Sequence, residues 1–170
     1  KVQMEKFVPR SFNMGFSRAV YERVGGWHAM FSEDIDMSTR VRPAGFTTRL
    51  ERAAYVYHKR RTSLRQFARQ THVFGLSRIT LPLLYPGSLK VVHALPALFT
   101  AGSAALLLLA LLWRWECVLP LAAYAVLLFV NALWDTRSVK IALLAVVTSH
   151  VQLWSYGAGF LRAWVWKVLL

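Results

Sequence analysis

Apolar and polar positions follow different patterns in the two halves of this chain. Residues 91–113, 117–134 and 141–161 contain no Asp, Glu, Lys or Arg and are rich in Leu, Ala and Val. A helix needs about 20 apolar residues to cross the hydrocarbon core of a bilayer. The sequence therefore predicts an all-α membrane part of about three transmembrane helices over residues 91–170.

The first part of the chain shows short, mixed patterns instead. Ser17 suits the N-cap of a short helix that ends at the Gly25-Gly26 pair. Ser32 begins a second helix, which Pro43 ends. Two adjacent glycines fit a helix end followed by a loop, or a loop shaped for a ligand.

Residues 46–58 contain Thr, Tyr and Val in a pattern that is typical of strands. We read them as one or two short strands ending at His58, and residues 7–16 as an extended segment. With the two helices, these elements predict an α+β arrangement for residues 1–58.

Residues 59–90 link the two parts and begin with Lys59-Arg60-Arg61. Thr62 or Ser63 can cap a helix with apolar residues on one side and basic residues on the other. Such a helix fits a membrane surface, although a helix packed in a soluble core would show the same pattern. We therefore predict basic amphipathic interface helices over residues 59–90.

Charge supports the membrane reading. The formal net charge is +13, and the hydrophobic share of 56% is high for a soluble domain. Lys and Arg beside apolar spans mark the cytoplasmic side of a membrane, and no nucleic-acid motif is visible. We expect membrane lipids as partners and no nucleic acid. Cys117 alone forms no internal disulfide, and the start at Lys1 predicts that the chain belongs to a longer protein.

Three of the eight carboxylates of this basic chain lie within four residues, at Glu33, Asp34 and Asp36. The simple explanation is a helix start, where unpaired N–H groups favour acids. Asp36 precedes Arg40 by four residues, which predicts an exposed ion pair. Asp34 shares a helix face with Val41, and this places its carboxylate towards the body of the domain.

Three segments, taken in order, resemble the C-terminal part of a membrane-bound glycosyltransferase of family 2. They are NMGFSRAVYERVGGW, SEDIDMSTRVRPAGF and YVYHKRRTSLRQFARQ, and the apolar spans follow them. The resemblance implies that residues 1–58 are the C-terminal portion of a GT-A domain, which is a Rossmann-like α/β fold. It also implies that Asp34 of the Glu-Asp pair is the catalytic base, supported by Glu33.

The resemblance implies further site residues. Asn13, Gly15, Gly26 and Trp27 match segments that line the acceptor side of the cleft in that family. Arg69 and Gln70 match the interface helix that meets the donor diphosphate, but Val73 and Phe74 replace the Arg and Trp of the processive Q-x-x-R-W motif, which favours transfer of a single sugar. His58 matches a position where a metal or diphosphate contact and a structural histidine are both possible.

The implied reaction is inverting transfer of a sugar from a nucleotide-sugar donor to a hydroxyl acceptor, either lipid-linked or a glycan of the cell envelope. A divalent metal, Mg or Mn, would be held mainly by residues outside this chain, so that the chain alone would be inactive. The implied location is the inner (cytoplasmic) membrane, with the catalytic part in the cytoplasm. The alternative reading is a non-catalytic membrane anchor or assembly subunit whose acidic helix start is only a cap.

Overall fold

The described part of the chain consists of Pro9, residues 11–59 and residues 62–169 of a computed structural model. It divides into two compact units, Lys1–Arg60 and Arg61–Leu170. Each unit is held together by its own helix contacts. The second unit contains the long apolar helices.

The regular elements of the described residues are all helical, so the predicted α+β class, with a portion of a Rossmann-like GT-A domain in residues 1–58, is wrong for them. Residues 46–58, predicted as strands, form turns and irregular backbone, and Tyr57 is 95% exposed. A strand is stable only when its backbone groups pair with a neighbouring strand, and no described segment provides one. Within the predicted extended segment, Ser11–Asn13 is a 3₁₀ turn, and residues 7, 8 and 10 lie outside the described residues.

The first unit contains the two helices that the sequence predicts. Helix α1 spans Arg18–Val24, and the Oγ of Ser17 accepts the backbone N–H of Val20 at 3.4 Å. Gly25 follows with φ of 84°, a conformation that costs glycine little. Helix α2 spans Glu33–Val41.

A small apolar core joins α1 and α2. Val20 of α1 and Met37 and Val41 of α2 are buried, and Met37 is 0% exposed. Met14, Val24 and Phe46 pack around them. The face of α2 that carries Met37 and Val41 therefore faces inward, as the spacing of its apolar residues predicts.

The second unit begins with α3, Leu64–Leu84. The Oγ of Ser63 accepts the backbone N–H of Gln66 at 3.3 Å, which confirms the predicted cap. Three further helices follow. They are α4, Leu95–Leu112, after the 3₁₀ turn Val91–Ala94; α5, Leu119–Thr136, after the 3₁₀ turn Trp115–Val118; and α6, Val139–Leu169.

Three segments of the described chain are long and apolar enough to cross a membrane, which confirms the predicted number of spans. They are Val91–Leu112, Trp115–Thr136 and Val139–Lys167. Large apolar side chains cover their surfaces, and Leu111 is 81% exposed. Because water would disfavour such a surface, this unit is suited to contact with membrane lipids.

Glycines allow α6 to approach its neighbours closely. A Cβ at Gly75 of α3 would overlap the carbonyl oxygen of Tyr156, and one at Gly159 of α6 would overlap the carbonyl oxygen of His72. A Cβ at Gly157 would overlap atoms of α4. Small residues at such crossings are typical of helices that pack within membranes. Helix α3 is therefore an integral part of the bundle as well as a candidate for the membrane surface.

Candidate functional site

The acidic start of α2 is the centre of the candidate site. Ser32 occupies the N-cap position as predicted, but its backbone is left-handed (φ 68°) and its side chain makes no capping bond. Asp34 is half-buried, and its Oδ1 accepts the backbone N–H of Ile35 at 2.9 Å. This hydrogen bond fixes one oxygen of the Asp34 carboxylate at the positive end of the helix dipole. Glu33 is also half-buried.

Asp36 is the centre of a buried polar network. Its Oδ2 lies 2.7 Å from Nη2 of Arg40 and 3.1 Å from Nδ1 of His28. The predicted pair with Arg40 is present, but the expectation that it is exposed is wrong, because the Asp36 side chain is 0% exposed. The preceding turn and the end of α1 cover this side of α2, which a periodicity argument within one helix cannot reveal.

Arg40 also fixes the loop after α1. Its Nη1 donates to the carbonyl oxygen of Val24 at 2.6 Å, and its Nη2 donates to that of Gly26 at 2.8 Å. One guanidinium thus joins α2, the end of α1 and the loop that begins with Gly25-Gly26, called the glycine loop here. The ring of Trp27, the next residue, meets the ring of Phe16 edge to face at 5.8 Å. The loop is therefore positioned by specific bonds and contacts on both sides.

A cavity of about 360 Å³ lies against the inward face of α2. Its wall is largely apolar and includes Met14, Phe16 and Met37, while Ser38 and Thr47 add hydroxyl groups. This volume is within the range of small-molecule sites in proteins. Its lining residues are Pro9, Met14, Gly15, Phe16, Ser17, Val20, Met37, Ser38, Val41, Phe46, Thr47, Thr48 and Arg49.

Asp34 lies one helical turn before Ser38, whose Oγ donates to the carbonyl oxygen of Asp34 at 2.8 Å. Both residues therefore lie on one face of α2, as the sequence predicts, and Ser38 is part of the cavity wall. Asp34 itself is not among the lining residues. Asp34 thus lies one helical turn from a residue of the cavity wall.

The other predicted residues of the first unit occupy separate places. Gly15 lines the cavity. Asn13 donates from Nδ2 to the carbonyl oxygen of Ala54 at 3.3 Å. The ring of His58 stacks on that of Phe12, with centroids 4.3 Å apart. Asn13 and His58 therefore help to hold residues 54–58 beside the 3₁₀ turn, which is a structural contact that the sequence did not predict.

Arg69 and Gln70 are in the second unit, on α3, where Arg69 is exposed and Gln70 is half-buried.

Within the described ranges, no three His, Cys, Asp or Glu side chains come together in a group that could hold a metal ion. His58 has the Phe12 ring at its face. The described residues therefore do not form a metal site by themselves.

His28 and the loop contacts of Arg40 are the features that the sequence reasoning missed. The spacing of Asp36 and Arg40 does predict their pairing. Nothing in the spacing connects Arg40 to Val24 and Gly26, which lie 16 and 14 residues earlier. The contact of His28 with Asp36 was also not predictable, because the position of His28 depends on the path of this loop.

No protein family, no curated protein and no solved structure matches this chain.

Proposed function

We propose that this chain carries the acceptor-side catalytic segment and the membrane anchor of an inverting glycosyltransferase. The donor is a nucleotide sugar, and the acceptor is a hydroxyl group of a lipid-linked or glycan molecule at the cytoplasmic face of the inner membrane. The observation that carries the proposal is the Asp34 carboxylate, held at the start of α2 one turn beyond the wall of a cavity. The described residues have no sheet, so the proposal rests on α2 and its contacts.

In the proposed reaction, Asp34 takes the proton of the acceptor hydroxyl. The hydroxyl oxygen forms a bond to the anomeric carbon of the sugar from the side opposite the leaving group, which inverts the configuration. The bond from that carbon to the nucleotide diphosphate breaks, and its electron pair stays on the diphosphate. A general base in reach of the proton contributes about 10²- to 10⁴-fold to such a step.

The arrangement of charges in α2 supports Asp34 as the base. Asp34 and Asp36 are two residues apart near the start of α2. The positive charge of Arg40, whose Nη2 lies 2.7 Å from Oδ2 of Asp36, offsets the negative charge of Asp36. The N-terminus of α2 also favours a carboxylate at Asp34. The start of α2 is therefore a place that suits the negative charge of a base.

The cavity supports an acceptor with an apolar part. Its wall combines Met14, Phe16 and Met37 with the hydroxyl groups of Ser38 and Thr47. Apolar walls bind the body of a ligand, and a few polar groups orient it. A lipid-linked acceptor with a free hydroxyl group has both features, and we propose this cavity as its site.

The experiment is sugar transfer by the full-length enzyme in membranes, with Asp34→Asn compared with wild type. We expect the rate to fall about 10²- to 10⁴-fold, because Asn cannot accept the proton. Glu22→Gln is the matched control, since Glu22 lies on exposed α1 surface and pairs only with Arg18 among the described residues. Transfer by Asp34→Asn at the rate of the control would refute Asp34 as the base.

A second candidate, supported by the three apolar helices, is a non-catalytic membrane anchor or assembly subunit. It predicts that Asp34→Asn and Glu22→Gln have equally little effect on any transferase activity of a complex that contains the chain. The same experiment therefore separates the two candidates.

A further inference from the structure

Helices α3, α4 and α6 meet around one apolar cluster. Ile79 of α3, Ala97 of α4 and Phe160 of α6 are buried against one another, and Ala94 and Tyr156 pack against them. The residues next to this cluster in sequence therefore come close together in space. These neighbouring residues include basic residues of α3, of α6 and of the segment that leads into α4.

Arg78 lies beside this cluster, on α3. The next residue, Ile79, belongs to the cluster against which Ala94, the residue after His93, packs, so Arg78 and His93 come near one another. Arg78 is also close enough to the Tyr156 hydroxyl to interact with it. The Nε atom of Arg78 is buried and has no hydrogen-bond partner. Since a guanidinium is always charged and has five N–H donors, a buried unpaired Nε leaves part of its bonding capacity unused. The residue as a whole is half-buried, so part of the side chain remains accessible.

Other basic groups gather at the same place. Lys90 precedes the first turn of the α4 segment, and its backbone N–H donates to Nδ1 of His93 at 3.1 Å. Lys167, near the end of α6, donates from Nζ to the carbonyl oxygen of Ile79 at 3.4 Å. The segments that meet at this junction therefore carry three cationic residues, Arg78, Lys90 and Lys167.

No carboxylate within the described ranges balances them. The described acidic residues of the second unit are Glu116, which pairs with Arg114 at 3.1 Å, and Asp135, which is exposed at the end of α5. Arg78 forms no ion pair with any described residue. Like charges held together without a partner are unfavourable, and an anion would relieve this.

His93 is prepared to donate a hydrogen bond to such an anion. Its Nδ1 accepts the backbone N–H of Lys90 at 3.1 Å. In the neutral ring, one nitrogen accepts and the other carries the proton, so the proton of His93 lies on Nε2. The ring is thus fixed as a donor through Nε2.

We propose that Arg78, Lys90 and His93 form a binding site for a phosphate group at the junction of α3, α4 and α6. Arginine pairs with two phosphate oxygens at once, and lysine adds an exposed positive charge. Lys90 and His93 lie at the start of the first candidate span, at the level that lipid headgroups occupy. The phosphate comes from an anionic phospholipid or from soluble phosphate. The proposal does not depend on the proposed transferase function.

The test is the thermal unfolding midpoint of the purified protein in detergent. Phosphatidylglycerol is compared with phosphatidylcholine, and inorganic phosphate with chloride at equal ionic strength. At a ligand concentration near 100 Kd, we expect a rise of roughly 5 °C. A rise with phosphatidylglycerol identifies a lipid headgroup as the source of the phosphate. A rise with inorganic phosphate alone identifies soluble phosphate as the source. Either rise supports the site if it depends on Arg78.

Three variants decide that dependence. Arg78→Gln should abolish the rise, whereas Arg162→Gln, which removes an exposed arginine of α6, should retain it. Lys90→Gln removes an exposed charge without a change in packing, so it tests the site even if Arg78→Gln fails to fold. We expect it to weaken phosphate binding roughly threefold to tenfold. The proposal is overturned if neither ligand raises the wild-type midpoint, or if Lys90→Gln and Arg162→Gln respond as wild type does.

Discussion

The Nη2 atom of Arg40 lies 2.7 Å from Oδ2 of Asp36, a side chain with no exposed surface, four residues earlier on the same helix. The same guanidinium donates to the carbonyl oxygens of Val24 and Gly26. Desolvation of a charge is costly unless it is paired and hydrogen-bonded, and this network provides both. The buried pair therefore fixes the position of the glycine loop relative to α2.

Asp36→Asn should destabilise the first unit strongly. The substitution leaves the Arg40 guanidinium, 16% exposed, without its opposite charge, and removal of one member of a buried pair costs about 3–5 kcal/mol. The measurement is amide hydrogen exchange of α2 in the whole protein. Glu22→Gln breaks the exposed pair with Arg18 and should change exchange little. Equal protection in both variants would contradict the structural importance of the buried pair.

Glu33→Gln should reduce sugar transfer less than Asp34→Asn does. In the proposed mechanism Asp34 accepts the proton, whereas Glu33 only supports it, so we expect a loss of about tenfold against about 10²- to 10⁴-fold. Initial rates at saturating donor provide the comparison. A larger loss for Glu33→Gln would transfer the role of base from Asp34 to Glu33.

Gly75→Ala should disrupt the second unit. The added methyl group would overlap the backbone of α6 at Tyr156 and Phe160, and backbone atoms cannot move aside as the end of a side chain can. Overpacking in a dense interior costs about 1–3 kcal/mol or more. Loss of the folded fraction in detergent, measured by size-exclusion chromatography, reports this effect.

Gly102→Ala is the matched control for that experiment. Gly102 is also helical, but a Cβ there has nothing within 4 Å. Alanine favours helix relative to glycine by up to about 1 kcal/mol, so this variant should be neutral or slightly stabilised. If both alanine variants behaved alike, close contact between α3 and α6 would not be the reason for glycine at position 75.

Ser63→Ala should loosen the first turn of α3. The Oγ of Ser63 accepts the backbone N–H of Gln66, and loss of an N-cap costs about 1 kcal/mol. We expect faster amide exchange at Gln66 and Phe67 and no change at the end of α3. Thr62→Ala, which alters an exposed neighbour, serves as the control. Unchanged exchange at Gln66 in Ser63→Ala would exclude the capping role.

The three apolar helices that could cross a membrane were predictable from sequence, because length and hydropathy alone define them. The structure extends the third span to Lys167, where the sequence pattern ended at residue 161 because Arg162 interrupts the uncharged run. Helix ends with Ser63 and Gly25 were also predictable, since caps act locally. Each of these features depends on residues close together in the chain.

Residues 46–58 show where sequence reasoning fails. Their Thr, Tyr and Val content favours strand, but strand formation depends on a partner elsewhere in the chain. In the candidate site, the pairing of Asp36 with Arg40 was predictable from their spacing, whereas its burial and its contact with His28 depend on how the loop folds over α2. The roles of Asp34 and Glu33 remain predictions.

The glycine contacts of α6 have a mechanical consequence. Because the backbones of α3 and α6 meet at Gly75 and Gly159 without side chains between them, a shift of one helix along its axis would bring larger residues into the contact. Sliding of α3 along α6 is therefore resisted, and we expect the two helices to move as one element. A change in bilayer thickness that tilts α6 should then carry α3 with it.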